Sequence, residues 1–434
     1  MIRVRIAPSP TGHLHLGNAR TAIFNWLYAK NNDGVFIVRI DDTDLERSSE
    51  EFEKDILDNL SWLGLKWDEG IGIGGPHGGY RQSERFDRYQ QITNELIKKD
   101  LAYTEDDAVK FRVGNEGSIS FTDLVRGDMT FNKEDIDDFV IMRSNGSPTY
   151  HLASTVDDID YKITHVARGE DILPSTPKHI MITQALDQDL PYYCHLPLLF
   201  GPDGKRLSKR HGSTSVKEFR NRGILSEALF NYMCLLGWSP EKDTEVFTQE
   251  YAVSKFDLTN VLPSSAIFDE KKLMWMNGLY IRALDDEIFY KRCIDEISKH
   301  LNREIFTTEM DRLKLLTPSI QERIENMNDI FQQVSFVLDE PFNVNLEDWE
   351  RIVSPKIIHY LYEVKEAIQS IEKLEVEELE IKMRELLIKF DLKPKEGFQA
   401  VRIAITGTKV SPPLFESMIA LGKAGCLARL EERI

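Results

Sequence analysis

Two stretches of this chain combine residue types that could handle a phosphorylated substrate. The first is Pro8-Ser9-Pro10-Thr11-Gly12-His13-Leu14-His15-Leu16-Gly17-Asn18, directly after a short apolar segment. Gly12 and Gly17 would let the backbone approach a nucleotide, and His15 can donate a hydrogen bond to phosphate or ribose oxygens. A metal role for His13-x-His15 is disfavoured, because no third ligand lies nearby in sequence. The bland account is a Pro/Gly loop with two incidental histidines. The second stretch is Lys205-Arg206-Leu207-Ser208-Lys209-Arg210-His211-Gly212, with four cations in its first six positions. Solvated charge is the ordinary explanation of such a run. Here it follows a tight turn, in a chain carrying a net charge of −18. A cationic loop so placed could grip a triphosphate and stabilise charge on leaving pyrophosphate, with Lys209 as a point charge.

The elements around the first stretch read as strand, helix, strand, helix. Arg3 to Ala7 is a predicted strand, and Leu16 to Lys30 a helix. Asp33-Gly34 is a turn, and Val35 to Ile40 a buried strand. Ser48 with Glu51 forms a capping-box signature, opening a helix that buries Phe52, Ile56, Leu60 and Leu63. This alternation implies a parallel sheet with crossover helices, which places the Gly12–Gly17 loop where open α/β sheets bind ligands. A Gly-containing mixed region follows to about 137. Strand pattern returns at Phe139 to Arg143, turns at Asn145-Gly146, and continues through Tyr150 and Ile163 to Ala167. Ser175-Thr176-Pro177 reads as a helix start, and the apolar Leu196 to Phe200 ends in the turn Gly201 to Gly204. Beyond about 216 the pattern becomes amphipathic helix, as from Pro355 with Ile357, Leu361, Val364, Ile368 and Ile371.

Composition fits this outline. With 434 residues, 41% hydrophobic and 29% charged, the chain is ordinary globular material, at about 150 residues per domain roughly three domains long. No apolar run nears the ~18 residues of a membrane span, and the N-terminus lacks the apolar core of a signal peptide. Cys194, Cys234, Cys293 and Cys426 are too far apart for a CxxC site and read as independent buried thiols. A cytosolic protein is expected. The net charge argues against a general nucleic-acid coat protein, though not against an enzyme with local basic surfaces.

Taken together, the His15 loop and the Lys209 loop resemble the HIGH and KMSKS signatures of class I aminoacyl-tRNA synthetases. The wording around them is similar to the glutamyl-tRNA synthetase family. It includes Arg39-Ile40-Asp41-Asp42-Thr43-Asp44, Arg81-Gln82-Ser83-Glu84-Arg85, Pro148 to Ala153, Val156-Asp157-Asp158 and Arg168-Gly169-Glu170-Asp171. Later matches are Leu235 to Trp238, Lys272 to Gly278, Ala404 to Gly407 and Leu421 to Lys423, so the resemblance spans essentially the whole chain. It implies a Rossmann-type α/β catalytic domain over 1–75 and 139–215, with a parallel sheet. An α+β insertion over 76–138 would receive the tRNA acceptor end. All-α domains over 216–300 and 301–434 would contact the tRNA elbow and the anticodon.

The implied reaction is activation of L-glutamate with ATP and Mg²⁺, then transfer to the terminal adenosine of tRNA(Glu), with tRNA(Gln) open as a second acceptor. ATP contacts are implied at Pro8, Ser9, Gly12, His15, Gly17, Asn18, Glu170, Arg206, Leu207, Ser208, Lys209 and Arg210. Among these, His15, Ser208 and Lys209 are the catalytic group. Glutamate contacts are implied at Arg5, Ser9, Asp41, Tyr150, Ser154 and Arg168. Arg5 and Arg168 meet the carboxylates, where a planar fork suits, and Asp41 takes the ammonium. Without the resemblance, Arg5 and Arg168 would read as structural ion pairs and Tyr150 as a core aromatic.

Three departures from the family pattern stand out. Asp41 replaces a frequent Glu, while Ser154 and Ile172 stand where many members carry Asn and an aromatic or His. No Cys lies in the insertion, so no structural zinc is expected. Residues 301–434 hold 18 Lys and Arg against 24 Asp and Glu, which favours a few placed contacts and base stacking over a generic electrostatic clamp. A monomer with no membrane association is the family expectation. Glutaminyl-tRNA synthetase, with a β-rich anticodon domain, and the truncated paralogue lacking the helical domain fit less well. A small nucleotidyltransferase or a catalytically dead tRNA binder are the other readings.

Overall fold

The computed structural model describes residues 1–114, 116–208 and 213–434. The chain divides into two compact units, Met1–Met276 and Asn277–Ile434. Lys209, Arg210, His211 and Gly212 lie outside the described residues.

In the first unit, β1 (Arg3–Ile6) leads into α1 (Leu16–Asn31), β2 (Val35–Val38), α2 (Glu50–Trp62) and β3 (Glu69–Gly70). These strands form a parallel sheet in the order β1-β2-β3. Next come α3 (Phe86–Lys98), β4 (Ala102–Glu105), β5 (Ala108–Phe111), β6 (Ser118–Asp123), β7 (Gly127–Asn132) and β8 (Phe139–Met142). Then follow α4 (Tyr150–Asp160), β9 (His165–Gly169), α5 (Thr176–Ala185), β10 (Tyr192–Leu196) and β11 (Leu199–Phe200). A second sheet runs β7-β6-β10-β9, parallel between β6, β10 and β9, while β4-β5-β8 is a small antiparallel sheet. The Thr164 N–H donates to the Arg3 carbonyl at 2.9 Å. The heads of β1 and β9 therefore meet, and the crossover direction reverses between them. That reversal is a topological switch point, where open α/β sheets hold their ligands.

Helices α6 (Val216–Asn221), α7 (Ser226–Leu235), α8 (Gln249–Lys255) and α9 (Glu270–Arg282) follow, with β12 (Ala266–Ile267) pairing parallel to β11. The second unit contains α10 (Asp286–Leu301), α11 (Thr307–Gln321), α12 (Asp329–Val334), α13 (Leu346–Glu350), α14 (Pro355–Ser370), α15 (Val376–Lys389), α16 (Pro394–Thr406) and α17 (Leu414–Glu431). Its core includes the predicted stripe of Ile357, Leu361, Val364 and Ile368 on α14 with Ile371 just past its end, packed against Leu379, Met383, Val401 and Met418. No helix among the described residues is long and apolar enough to cross a membrane. All four cysteines are free and buried.

Two local expectations change. Ser49, not Ser48, caps α2: its Oγ accepts the Phe52 N–H at 3.2 Å, and its own N–H donates to the Pro10 carbonyl at 3.1 Å. That tie to the loop after β1 gives Ser49 the extended backbone a cap needs. Tyr150 does not continue a strand but opens α4. The helix buries Ser154, Thr155, Asp157 and Asp158 beside Leu152, Ala153 and Val156, so polar residues interrupt the apolar period that would have marked it.

Candidate active site

The loop after β1 and the start of α1 face the end of β9 across a cleft of about 520 Å³. Its lining brings together Arg5, Pro8, Ser9, His15, Gly17, Asn18, Asp41, Tyr150, Ser154, Arg168, Arg206 and Leu207 from the sequence-predicted set. Asp171 and Ile172 also line it. Gly12 does not, and a Cβ there would meet nothing within 4 Å. Glu170 is turned to other work: one oxygen accepts the Leu198 N–H at 2.8 Å and the other pairs with Arg126. Ser208 is half-buried and is not in the lining. A second cavity of about 270 Å³, bordered by Asp158 and His179, contains none of the predicted residues.

His15 sits at the N-cap of α1, and its Nδ1 accepts the Gly17 N–H at 3.2 Å. Burial, then the Arg206 charge, hold its pKa below the usual imidazole value, against an opposing pull from Glu218. A neutral ring with Nδ1 as acceptor carries its proton on Nε2. His15 thus offers one N–H donor at the positive end of a helix whose first turn has no acidic residue.

Described residues on either side of 209–212 are held near this cleft. Leu207 N–H donates to the Leu199 carbonyl at 2.8 Å, and Arg206 pairs with Asp171 at 2.9 Å. Beyond the segment, Leu16 N–H donates to Thr214 O and Val216 N–H to Leu14 O, each at 2.9 Å.

The other end of the cleft is a buried charge cluster. Arg5 meets Asp158 bidentately, Nε at 3.0 Å and Nη2 at 3.1 Å, so the structural ion pair is present. Arg39, fully buried, donates to Asp41 (2.6 and 3.1 Å), to Asp158 (2.9 Å) and to Ser154 Oγ (3.2 Å). Burial pushes the Asp41 carboxyl up to about 6 despite Arg39, with Asp157 and Asp158 adding to the rise.

Arg168 has a different setting. It is buried, yet its partners are all neutral: His195 Nε2 (3.1 Å), Tyr150 Oη (3.3 Å), His179 Nδ1 (3.2 Å) and Thr176 Oγ1 (2.8 Å). Burial, then the Arg168 charge, lower the His179 pKa well below the ordinary imidazole value, and burial likewise lowers that of His195. Among the described residues no carboxylate pairs with Arg168. A buried guanidinium without a counter-charge on the wall of a cleft can receive an anion.

Sequence reasoning quoted Arg39 and Asp158 but gave them no role, and missed Thr176, His179, His195 and Asp123. An arginine closing the apolar strand Val35 to Ile40 was the available signal for Arg39. For the histidines there was none, since their partners lie on distant elements. Among the described residues, no group of three or more His, Cys, Asp or Glu could hold a metal ion.

Comparison with known proteins agrees with this geometry. Residues 1–110 and 104–275 match the family "tRNA synthetases class I (E and Q), catalytic domain", and 289–434 match "Anticodon binding domain". A glutamate--tRNA ligase of Dehalococcoides mccartyi is 38% identical over 99% of this chain and 96% of its own. Glutamate--tRNA ligase 2 of Thermosipho melanesiensis is 41% identical over 100% and 98%. A crystal structure of a glutamate tRNA ligase from Elizabethkingia meningosepticum, in complex with its amino acid, superposes with a TM-score of 0.86 at 29% identity, covering 99% of this chain and 98% of that one. A switch-point cleft with a neutral histidine at one end and an unpaired arginine at the other, on a chain matched along its whole length, places this protein in the glutamate--tRNA ligase family of class I tRNA synthetases.

Proposed function

We infer that this chain is a glutamate--tRNA ligase working in the cytosol as a monomer, with ATP delivered as its magnesium complex and no structural zinc. One α-carboxylate oxygen of glutamate attacks the α-phosphorus of ATP. The bond from that phosphorus to the bridging oxygen breaks, and pyrophosphate leaves. A ribose hydroxyl of the terminal adenosine of tRNA(Glu) then attacks the mixed-anhydride carbonyl, and AMP leaves.

The observation that carries this reading is the uncompensated Arg168 guanidinium beside Tyr150, in the same cleft as His15. Arg168 receives a glutamate carboxylate, Arg5 turns its Nη1 to the other, and Asp41 accepts from the ammonium. Tyr150, Ser154 and Ser9 add hydroxyls. His15 Nε2–H, the α1 N-terminus, Asn18 and Arg206 hold the phosphates. Pro8, Gly17 and Leu207 shape the nucleotide's bed, with Gly12 and Glu170 supporting the loops around it. Lys209, Ser208 and Arg210 stabilise charge on the leaving pyrophosphate. Support for this last role is that Thr214 and Val216, just beyond these residues, are bonded to Leu16 and Leu14 on either side of His15, and that Arg206, just before them, lines the same cleft. Catalysis rests on positioning and on charge stabilisation, with no covalent enzyme intermediate.

We assign 1–75 and 139–215 to the catalytic domain and 76–138 to the acceptor-end insertion. Residues 216–300 contact the stem, and 301–434 the anticodon. Glutamylation of separately transcribed tRNA(Glu) and tRNA(Gln), beside a Lys209→Ala control, tests the reading. We expect charging of tRNA(Glu) that falls by orders of magnitude in the control, and the second tRNA sets the acceptor range. Binding of both tRNAs with charging of neither would overturn it.

A further inference from the structure

The Arg168 guanidinium is hydrogen-bonded to His195, which in turn bonds Asp123, and neither of these two residues lines the cleft. β6 of the 76–138 segment runs parallel to β10, with Asp123 in register with Tyr193. This places the Asp123 carboxylate against His195, where Oδ2 accepts from Nδ1 at 2.6 Å and from the His195 backbone N–H at 3.1 Å. His195 Nε2 in turn lies 3.1 Å from Arg168 Nε, and both the His195 and Asp123 side chains are 0% exposed. Arginine Nε–H can only donate and a carboxylate can only accept. The chain of contacts therefore fixes one tautomer: proton on Nδ1 towards Asp123, lone pair on Nε2 towards Arg168.

We propose that Asp123 and His195 are positioning residues that lock the Arg168 guanidinium in the plane that meets the substrate carboxylate; this rests on the reading of Arg168 as a glutamate ligand. With Nε held by His195 and Nη2 by Thr176 Oγ1 at 2.8 Å, the guanidinium cannot rotate about its stem. A neutral imidazole is the right holder, because it orients the cation without neutralising it. A carboxylate in the same place would compete with the substrate. Asp123 Oδ1 also accepts from the Val125 and Arg126 N–H groups at 3.0 and 2.9 Å, and Arg126 pairs with Glu170. The hairpin turn of the insertion is thereby tied to both residues flanking Gly169. The burial of Asp123 works against its charge, but His195 and the Arg126 and Val125 amides keep its carboxyl below the usual range.

Two His195 variants separate positioning from packing. His195→Asn keeps a donor near Nδ1 and removes the acceptor at Nε2, whereas His195→Gln places an amide oxygen near Nε2. Loss of a hydrogen bond to a charged group should raise the glutamate KM of His195→Asn by about tenfold or more, leaving the ATP KM unchanged. His195→Gln should restore most of the loss. In an Arg168→Ala background His195→Asn should add nothing further. In Asp123→Asn the amide oxygen stays with Val125 and Arg126, so the NH₂ faces His195 and drives its proton to Nε2. Imidazole ¹⁵N shifts report that exchange. If Asp123→Asn does not accumulate as folded protein, the His195 pair carries the test.

Failure of the two readings looks different. An unchanged glutamate KM in Arg168→Ala removes the Arg168 reading, and this inference with it. A raised KM in Arg168→Ala, with His195→Asn and His195→Gln alike or an additive double variant, overturns the positioning role alone.

Discussion

Arg39 donates to both oxygens of Asp41, Nε to Oδ1 at 2.6 Å and Nη2 to Oδ2 at 3.1 Å, without neutralising the cluster around it. Arg39 also pairs with Asp158 and lies 3.5 Å from Asp157, so one guanidinium serves three carboxylates. Burial therefore wins at Asp41, whose carboxyl is raised to about 6. Asp41 is protonated below that value and anionic above it, and only the anion attracts the glutamate ammonium. We expect kcat/KM for glutamate to fall as pH drops through about 6, approaching tenfold per unit. Asp41→Asn should lower activity at pH 7.5 and flatten that limb. An acid limb identical in the variant would remove Asp41 from ammonium binding.

His15 makes the opposite kind of prediction. Its imidazole is already neutral, with the pKa lowered first by burial and then by Arg206. Its titration should leave no inflection in kcat between pH 6.5 and 8. His15→Ala removes one donor from developing phosphate charge, worth about 10²–10³ in kcat by analogy with a lost oxyanion donor. The ATP KM should change far less. Pre-steady-state adenylate formation measures this directly, and a variant that forms adenylate at the wild-type rate would refute the role.

What the sequence revealed and what it hid follow from distance. β1, α1, β2 and the α14 stripe carry their own periods and turn residues, and each is legible within a window of a dozen positions. The His15 loop is legible because its chemistry is local. The Asp123–His195–Arg168 chain joins residues 72 and 27 positions apart; the Arg168-Gly169-Glu170-Asp171 motif marks the arginine, but no local pattern marks Asp123 or His195. α4 was hidden for the same reason, because its buried Asp157 and Asp158 answer to Arg85, Arg5 and Arg39 rather than to their own helix. The ion-paired Arg5 and the uncompensated Arg168 look alike in sequence. Their partners alone distinguish them.

In the second unit, Gly407 ends α16 with φ 80°, and a Cβ there would lie 2.4 Å from the Asn343 carbonyl oxygen. Gly407→Ala combines left-handed strain with a backbone clash. A loss of ~1–3 kcal/mol is expected from such strain. Denaturant melts should detect it, and ATP–pyrophosphate exchange at saturating tRNA should remain near wild type. An unchanged melt would mean that the Asn343 segment moves aside freely.

Asp158 joins stability to the site. It accepts from Arg5 at 3.0 and 3.1 Å and from Arg39 at 2.9 Å, wholly among buried atoms. Burial raises its pKa, but the two guanidiniums outweigh it and hold the carboxyl below the usual range. A depressed folded pKa gives stability that is complete above the unfolded value of about 3.9 and is lost as pH falls below it. Asp158→Ala leaves two buried cations short of a partner, which should cost ~3–5 kcal/mol. Asp158→Asn keeps the shape and one acceptor and should cost less. It should also weaken the acid-induced loss below pH 4. Arg5 Nη1 makes only a long 3.5 Å contact with the Ala167 carbonyl among the described residues, and on the proposed reading that nitrogen serves the substrate while Asp158 aims the rest. Asp158→Asn should accordingly raise the glutamate KM more than the ATP KM at a pH where the fold is intact. Equal shifts in both would reduce Asp158 to a purely structural partner of Arg5.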